Sequence, residues 1–112
     1  MIAKDLVAAS SKPLVLSILS EGESYGYLII QRVRELSRER LEWTEGMLYP
    51  VLHRMEKDGL IESEWKVSEA GRRRKYYRIS SKGGTVLRQE KENWITIHNT
   101  LGKLWGLKPC KI

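Results

Sequence analysis

Apolar positions along the chain fall into three helical stripes, then two alternating runs, then one long ladder. Over residues 12–20, Leu14, Val15, Ile18 and Leu19 repeat at the i, i+1, i+4, i+5 spacing of a helix face. Pro13 either opens that helix or bends one that begins near Lys4. Glu21, Gly22 and Glu23 read as a turn, and Ser24 is placed to cap a second helix reaching about Ser37. Tyr25, Leu28, Ile29, Val33 and Leu36 supply its apolar face. After a short extended piece at residues 41–43, Thr44 caps a third helix through about Asp58. Leu48, Val51, Leu52 and Met55 form the inner stripe, which turns Glu45, Pro50, His53, Arg54 and Lys57 outward. Pro50 falls close to the first turns, where a missing N–H does least damage, and Gly59 suits a left-handed stop.

Residues 60–65 and 75–79 predict a β-hairpin. Ile61, Ser63 and Trp65 alternate against Glu62 and Glu64, and Tyr77 and Ile79 against Tyr76 and Arg78. The connection is longer than a tight turn, with Gly71 as its flexible point and Gly71, Arg72, Arg73, Arg74 and Lys75 at its tip. A last helix, capped by Ser80 or Ser81, passes Gly83 and Gly84 and reaches about Trp105. Leu87, Trp94, His98, Leu101 and Trp105 follow a heptad-like spacing, widened by Val86, Ile97 and Leu104. Such a helix is about 33 Å long, more than the rest of the chain can cover. Its two tryptophans therefore call for a partner, most simply the same helix of a second copy. Residues 106–112 read as a frayed tail.

At 112 residues, 41% hydrophobic and 30% charged, the composition fits one folded domain with a modest core. The charge is uneven. Residues 1–71 carry 9 basic and 12 acidic side chains, whereas residues 72–112 carry 11 basic and 2 acidic ones. A basic end on a near-neutral body suits a polyanion. Catalytic signals are poor: His53 and His98 have no partners at triad spacing, and there is no phosphate-binding glycine loop or paired-cysteine spacing. Cys110 stands alone, so neither an internal disulfide nor a cysteine-rich metal site is expected. No cofactor, metal, signal segment or membrane span is expected, and a cytoplasmic location follows.

Three helices followed by a hairpin with a basic tip is the order of a winged helix-turn-helix. The expected fold is mainly α with a β-hairpin wing and a long C-terminal helix. We divide the chain at residues 1–80 for the DNA-binding domain, 81–106 for a dimerisation helix and 107–112 for the tail. A third helix of this kind fits the major groove, and an arginine tip reaches phosphates or the minor groove. Residues 43–61, WTEGMLYPVLHRMEKDGLI, and residues 71–80, GRRRKYYRIS, resemble the signatures of the PadR-like transcriptional regulators, and residues 24–27, SYGY, are similar to the start of that family's second helix. Ser80 stands where threonine is usual, Gly84 is an extra glycine, and Ala70-Gly71 replaces a glycine pair.

The resemblance implies a dimeric repressor of double-stranded DNA with a roughly palindromic operator. It implies that Thr44, Glu45, Gly46, Met47, Tyr49, Pro50, His53 and Arg54 lie on or beside the reading face. Ser24, Tyr25 and Tyr27 would lie near phosphates, with the wing at residues 71–75 and Tyr76 beside it. Tyr49 and Tyr25 also suit domain packing, as do Trp43 and Trp65. By the same resemblance, Leu14, Ile18, Leu87, Trp94, His98, Leu101 and Trp105 would form the dimer seam. Trp94 would either stack on a flat hydrophobic effector or simply fill that seam; Val7, Ala8, Ser11, Ile97, His98 and Leu101 would line the space. The rival readings are a DNA-binding regulator without a sensor site and a dimeric protein-interaction module.

Overall fold

Seven elements follow one another in the computed structural model, which describes residues 2–110. They are α1 (Lys4–Ser20), β1 (Ser24–Tyr25), α2 (Gly26–Leu36), α3 (Glu45–Lys57), β2 (Ile61–Val67), β3 (Arg73–Ile79) and α4 (Ser81–Trp105). This is a winged helix-turn-helix: a mainly helical body, a small antiparallel sheet and a long last helix. Val15, Leu16 and Leu19 of α1 meet Ile29 and Val33 of α2, and Leu48, Leu52 and Met55 of α3. Ile61 and Tyr77 close this core from the sheet, Trp43 from the preceding loop and Leu87 from α4. Each such buried aliphatic side chain contributes about 1.5–3 kcal/mol, which is what ties the three short helices together.

Several boundaries depart from the sequence expectation. The first helix does begin at Lys4, so Pro13 lies inside it and leaves the carbonyl of Ala9 without its helical donor. Ser24 does not cap α2. It is buried in β1, which pairs antiparallel with β3 through Ser24↔Tyr77 and Tyr25↔Tyr76, giving the sheet order β1-β3-β2. Two residues of extended chain thus tie the start of α2 to the wing. The turn after α2 holds Arg38 and Glu39 at φ of 53° and 66°, a left-handed pair that costs about 1–2 kcal/mol per residue without glycine. Glu39 N–H donates to the carbonyl of Arg34 at 2.8 Å, offsetting part of that cost.

The junction of α3 with α4 is tight. Gly59, at φ 77°, ends α3 as expected. Ser80 then does two jobs: its Oγ accepts from the N–H of Gly83 at 3.0 Å, capping α4, and donates to the carbonyl of Gly59 at 2.6 Å. Ser80 N–H also donates to the carbonyl of Leu60, and Lys82 Nζ to that of Asp58. A Cβ on Gly83 would sit 2.1 Å from the Leu60 carbonyl oxygen, so only glycine fits.

At the other end of α4 the expected frayed tail is instead folded back. Gly106, at φ 72°, turns the chain, and Leu107 N–H donates to the carbonyl of Gly102 at 2.8 Å. Farther along, the Asn99 amide binds both backbone groups of Cys110, accepting from its N–H at 2.6 Å and donating to its carbonyl at 3.1 Å. The last two residues of that tail lie outside the described residues. Helix α4 spans 25 residues, about 37 Å, and projects from the body. The radius of gyration is accordingly 15.3 Å, against about 13 Å for a compact chain of this length.

Candidate nucleic-acid interface

The outward face of α3 begins at its cap. Thr44 Oγ1 accepts from the N–H of Met47 at 3.2 Å, and Glu45 follows in the first turn, where a carboxylate favours the helix dipole. With Leu48, Leu52 and Met55 in the core, the helical period exposes Glu45, Gly46, Tyr49, Pro50, His53, Arg54 and Lys57. Tyr49 leans over the first residue of α2. A Cβ on Gly26 would lie 2.8 Å from the Tyr49 hydroxyl, so the missing side chain makes room for the ring.

The wing is built by register. Strands β2 and β3 pair from Ile61↔Ile79 to Val67↔Arg73, with Trp65 opposite Lys75 and Lys66 opposite Arg74. The connecting loop is closed by Ser68, whose N–H donates to the carbonyl of Arg72 at 2.8 Å and whose carbonyl accepts from Gly71 at 2.8 Å. Its hydroxyl accepts from the N–H of Arg72, and Gly71 takes φ 77° as the turn requires. Alternation then sends the basic side chains to two sides. Arg73 and Lys75 share a face with Trp65 and Tyr77; Arg74 shares the other with Tyr76 and Lys66.

Aromatic rings hold these cations. The Arg73 guanidinium lies 4.7 Å above the Trp65 ring and that of Arg74 lies 4.4 Å above Tyr25. Tyr25 meets Tyr76 edge-on at 5.3 Å, and Lys66, above Tyr76, pairs with Glu23 at 2.6 Å. Lys75 pairs with Glu56 of α3 at 3.5 Å; Glu56 also accepts from the Ser63 hydroxyl. Lower on the hairpin, Arg78 is shared by Glu62 and Glu64. Among the described residues, Arg72, Arg73 and Arg74 have no carboxylate within 4.0 Å. Among the described residues nothing neutralises this cationic wing tip. Burial raises the Tyr77 phenol above its ordinary value.

Between α3 and the wing runs an open groove of about 800 Å³. It gathers Tyr25, Tyr27, Glu45, Tyr49, His53, Arg72, Arg73, Arg74 and Lys75, all picked out in the sequence, together with Gly26, Trp65 and Tyr77. Tyr27 is exposed at its edge and accepts from Gln31 at 3.0 Å. Thr44 at the cap, and Gly46 and Pro50 on α3, are exposed without lining the groove. Ser24 is largely buried in β1 and does not line this groove; it borders a small separate one with Glu21, Glu23 and Arg32. Met47 and Arg54 face the other flank of α3, where they line a second groove with Val7, Ala8 and Ser11 of α1. Trp65 does not pack into the domain as Trp43 does; it is 55% exposed. Its place is legible only through the strand register, which sets it diagonal to Arg73.

The residues expected around an effector divide. Val7, Ala8 and Ser11 line that second groove of about 700 Å³ along α1 and α3, where Ser11 is buried and donates to the carbonyl of Ala8. Trp94 lines a separate groove of about 360 Å³ with Pro13, Leu14, Ser17, Leu41, Leu87 and Ile95, its Nε1 donating to Glu90 at 3.2 Å. Glu90 borders both grooves. Ile97, His98, Leu101 and Trp105 are exposed on α4 and line neither. Of the expected seam residues, Ile18 and Leu87 are consumed by the protomer's own core. No helix of the described residues is long and apolar enough to cross a membrane.

Comparison with known proteins gives one answer. Residues 15–89 match the family described as "Transcriptional regulator PadR-like family". A transcriptional regulator of Mycobacterium tuberculosis is 38% identical over 77 residues, covering 69% of this chain and 68% of that protein. The structure of a transcriptional regulator from Clostridium thermocellum superposes with a TM-score of 0.82 at 34% identity, covering 92% of this chain and 97% of that one. A PadR-like transcriptional regulator from Bacillus cereus gives 0.81 at 31% identity, covering 94% of this chain and 100% of its own. With two thirds of its length matched by the family and its whole architecture shared by solved relatives, this chain belongs to the PadR-like family and is a DNA-binding transcriptional regulator.

Proposed function

We propose that the chain acts as a homodimeric repressor that grips its operator in the groove between α3 and the wing. The observation that carries this reading is the convergence of Tyr49 and His53 of α3 with Arg72, Arg73 and Arg74, which lack acidic partners among the described residues. Phosphate contacts from the wing supply affinity, and the exposed face of α3 supplies sequence choice. Two such domains joined through α4 meet successive major grooves, about 34 Å apart, on a roughly palindromic site. A small planar or hydrophobic effector binds beside Trp94 once the second copy completes that groove, and DNA and effector then oppose each other reciprocally.

Titration of the chain's own promoter DNA at several salt concentrations tests this. Replacing Arg72, Arg73 and Arg74 together by alanine should weaken binding and flatten the slope of log affinity against log salt by about 5, since the dimer loses six such cations and roughly 0.9 of a counterion is released per phosphate contact. An unchanged slope would remove the wing from the interface. In the same preparation, a planar aromatic dye should quench tryptophan emission and release the DNA, and Trp94→Ala should abolish both effects. Tight DNA binding with no dye response leaves a regulator without a sensor site.

A further inference from the structure

Trp65 is unexplained by packing. It sits on the same strand face as Ile61, which is fully buried, but the strand climbs beyond the edge of the core, and the indole emerges 55% exposed. A large apolar ring in that position gains little from the fold. What covers part of it is the guanidinium of Arg73, 4.7 Å away on the neighbouring strand. Arg74 has a shelf too, in Tyr25, but that ring also serves the fold, since Tyr25 belongs to β1 and packs edge-on against Tyr76. Trp65 has no comparable structural role.

A guanidinium stacked on a ring keeps its in-plane N–H donors free, while the ring restricts the rotamers of an otherwise floppy side chain. Arg73 has no carboxylate within 4.0 Å among the described residues, so nothing competes for those donors. Both side chains line the groove that also holds Tyr49 and His53. Resting on the reading that DNA occupies this groove, we propose that Trp65 is a positioning residue for DNA binding. Its indole holds the Arg73 guanidinium aimed into the groove before DNA arrives, so that less side-chain freedom is lost on binding.

The full chain is titrated with its promoter duplex at several salt concentrations, affinities being compared at one of them, each variant first checked for an unchanged thermal melt. Trp65→Ala should weaken binding about three- to tenfold, the scale of a cation–π contact together with the rotamers it restrains. Trp65→Phe, which keeps a ring face, should recover binding to within about twofold of the parent. Trp65→Leu, which keeps apolar bulk without a π face, should be as weak as alanine. Once Arg73 is already alanine, removing Trp65 should cost less than about twofold, and the salt slope should not move with Trp65 alone because no charge is lost. Leucine binding like the parent, or an alanine effect that persists in full without Arg73, overturns the proposal while leaving the DNA groove intact. If the triple arginine variant binds as tightly as the parent, the groove is not the DNA site and both readings fall.

Discussion

Adjacent glycines open α4, and their surroundings give them opposite roles. Around Gly84 nothing lies within 4 Å of an added methyl group, so Gly84→Ala should raise stability by about 0.5–1 kcal/mol, the usual helix-interior gain. At Gly83 the same methyl group meets the Leu60 carbonyl at 2.1 Å, and backbone cannot yield as a side chain does. Gly83→Ala should cost about 1–3 kcal/mol, as other overpacked sites do. Urea midpoints at unchanged slope would separate the two; equal shifts in one direction would contradict the geometry. The sequence shows both residues merely as weak helix formers. Their difference arises from the carbonyl of Leu60, just before β2, a contact that no local pattern encodes. Tyr49 is a related case: its exposure follows from the helical period, but its rest on Gly26 depends on how α2 crosses α3.

Elements carry the next level of argument, and here Ser80 matters more than its small size suggests. It caps α4 and also holds Gly59 beyond the end of α3. Losing a cap together with a second hydrogen bond should make Ser80→Ala about 1–2 kcal/mol less stable, measurable by thermal or urea melts. A neutral outcome would mean that water replaces both contacts. Helices and wing are legible in the sequence because their hydrophobic periods are strong: Leu48, Leu52 and Met55 name the inner face of α3, and Ile61 and Tyr77 that of the sheet. Ser24 misleads because serine before an apolar helix is a good cap signal, whereas its pairing with Tyr77 is a long-range event. The tail misleads for a similar reason, since a lone asparagine gives no hint that it will hold the backbone of Cys110. Within the groove, charge and motif mark the arginines, but the strand register is needed to find their aromatic supports.

At the scale of the whole molecule, the far half of α4 is the conspicuous exposed surface. Ile97, Leu101, Leu104 and Trp105 stand open, and the chain is extended for its length. If α4 forms the proposed dimer seam, replacing both Leu101 and Trp105 by glutamate should abolish association. Light scattering should then report half the parent mass, and operator affinity should fall at least about tenfold because two half-sites are no longer bound by one tethered pair. An unchanged mass would move the dimer contact elsewhere. The joint at Ser80, Lys82 and Gly83 adds a mechanical consequence. On the proposed reading of α3 as the helix that meets DNA, α4, whose base is hydrogen-bonded to Asp58, Gly59 and Leu60 just beyond α3, would act as the long arm of a bell crank. Trp94 lies roughly 20 Å along that arm, so a sideways shift of about 2 Å there would turn the short arm by about 6°. On the proposed effector reading, gearing of that kind would let a molecule no larger than a dye pry the protein off a double helix without touching it.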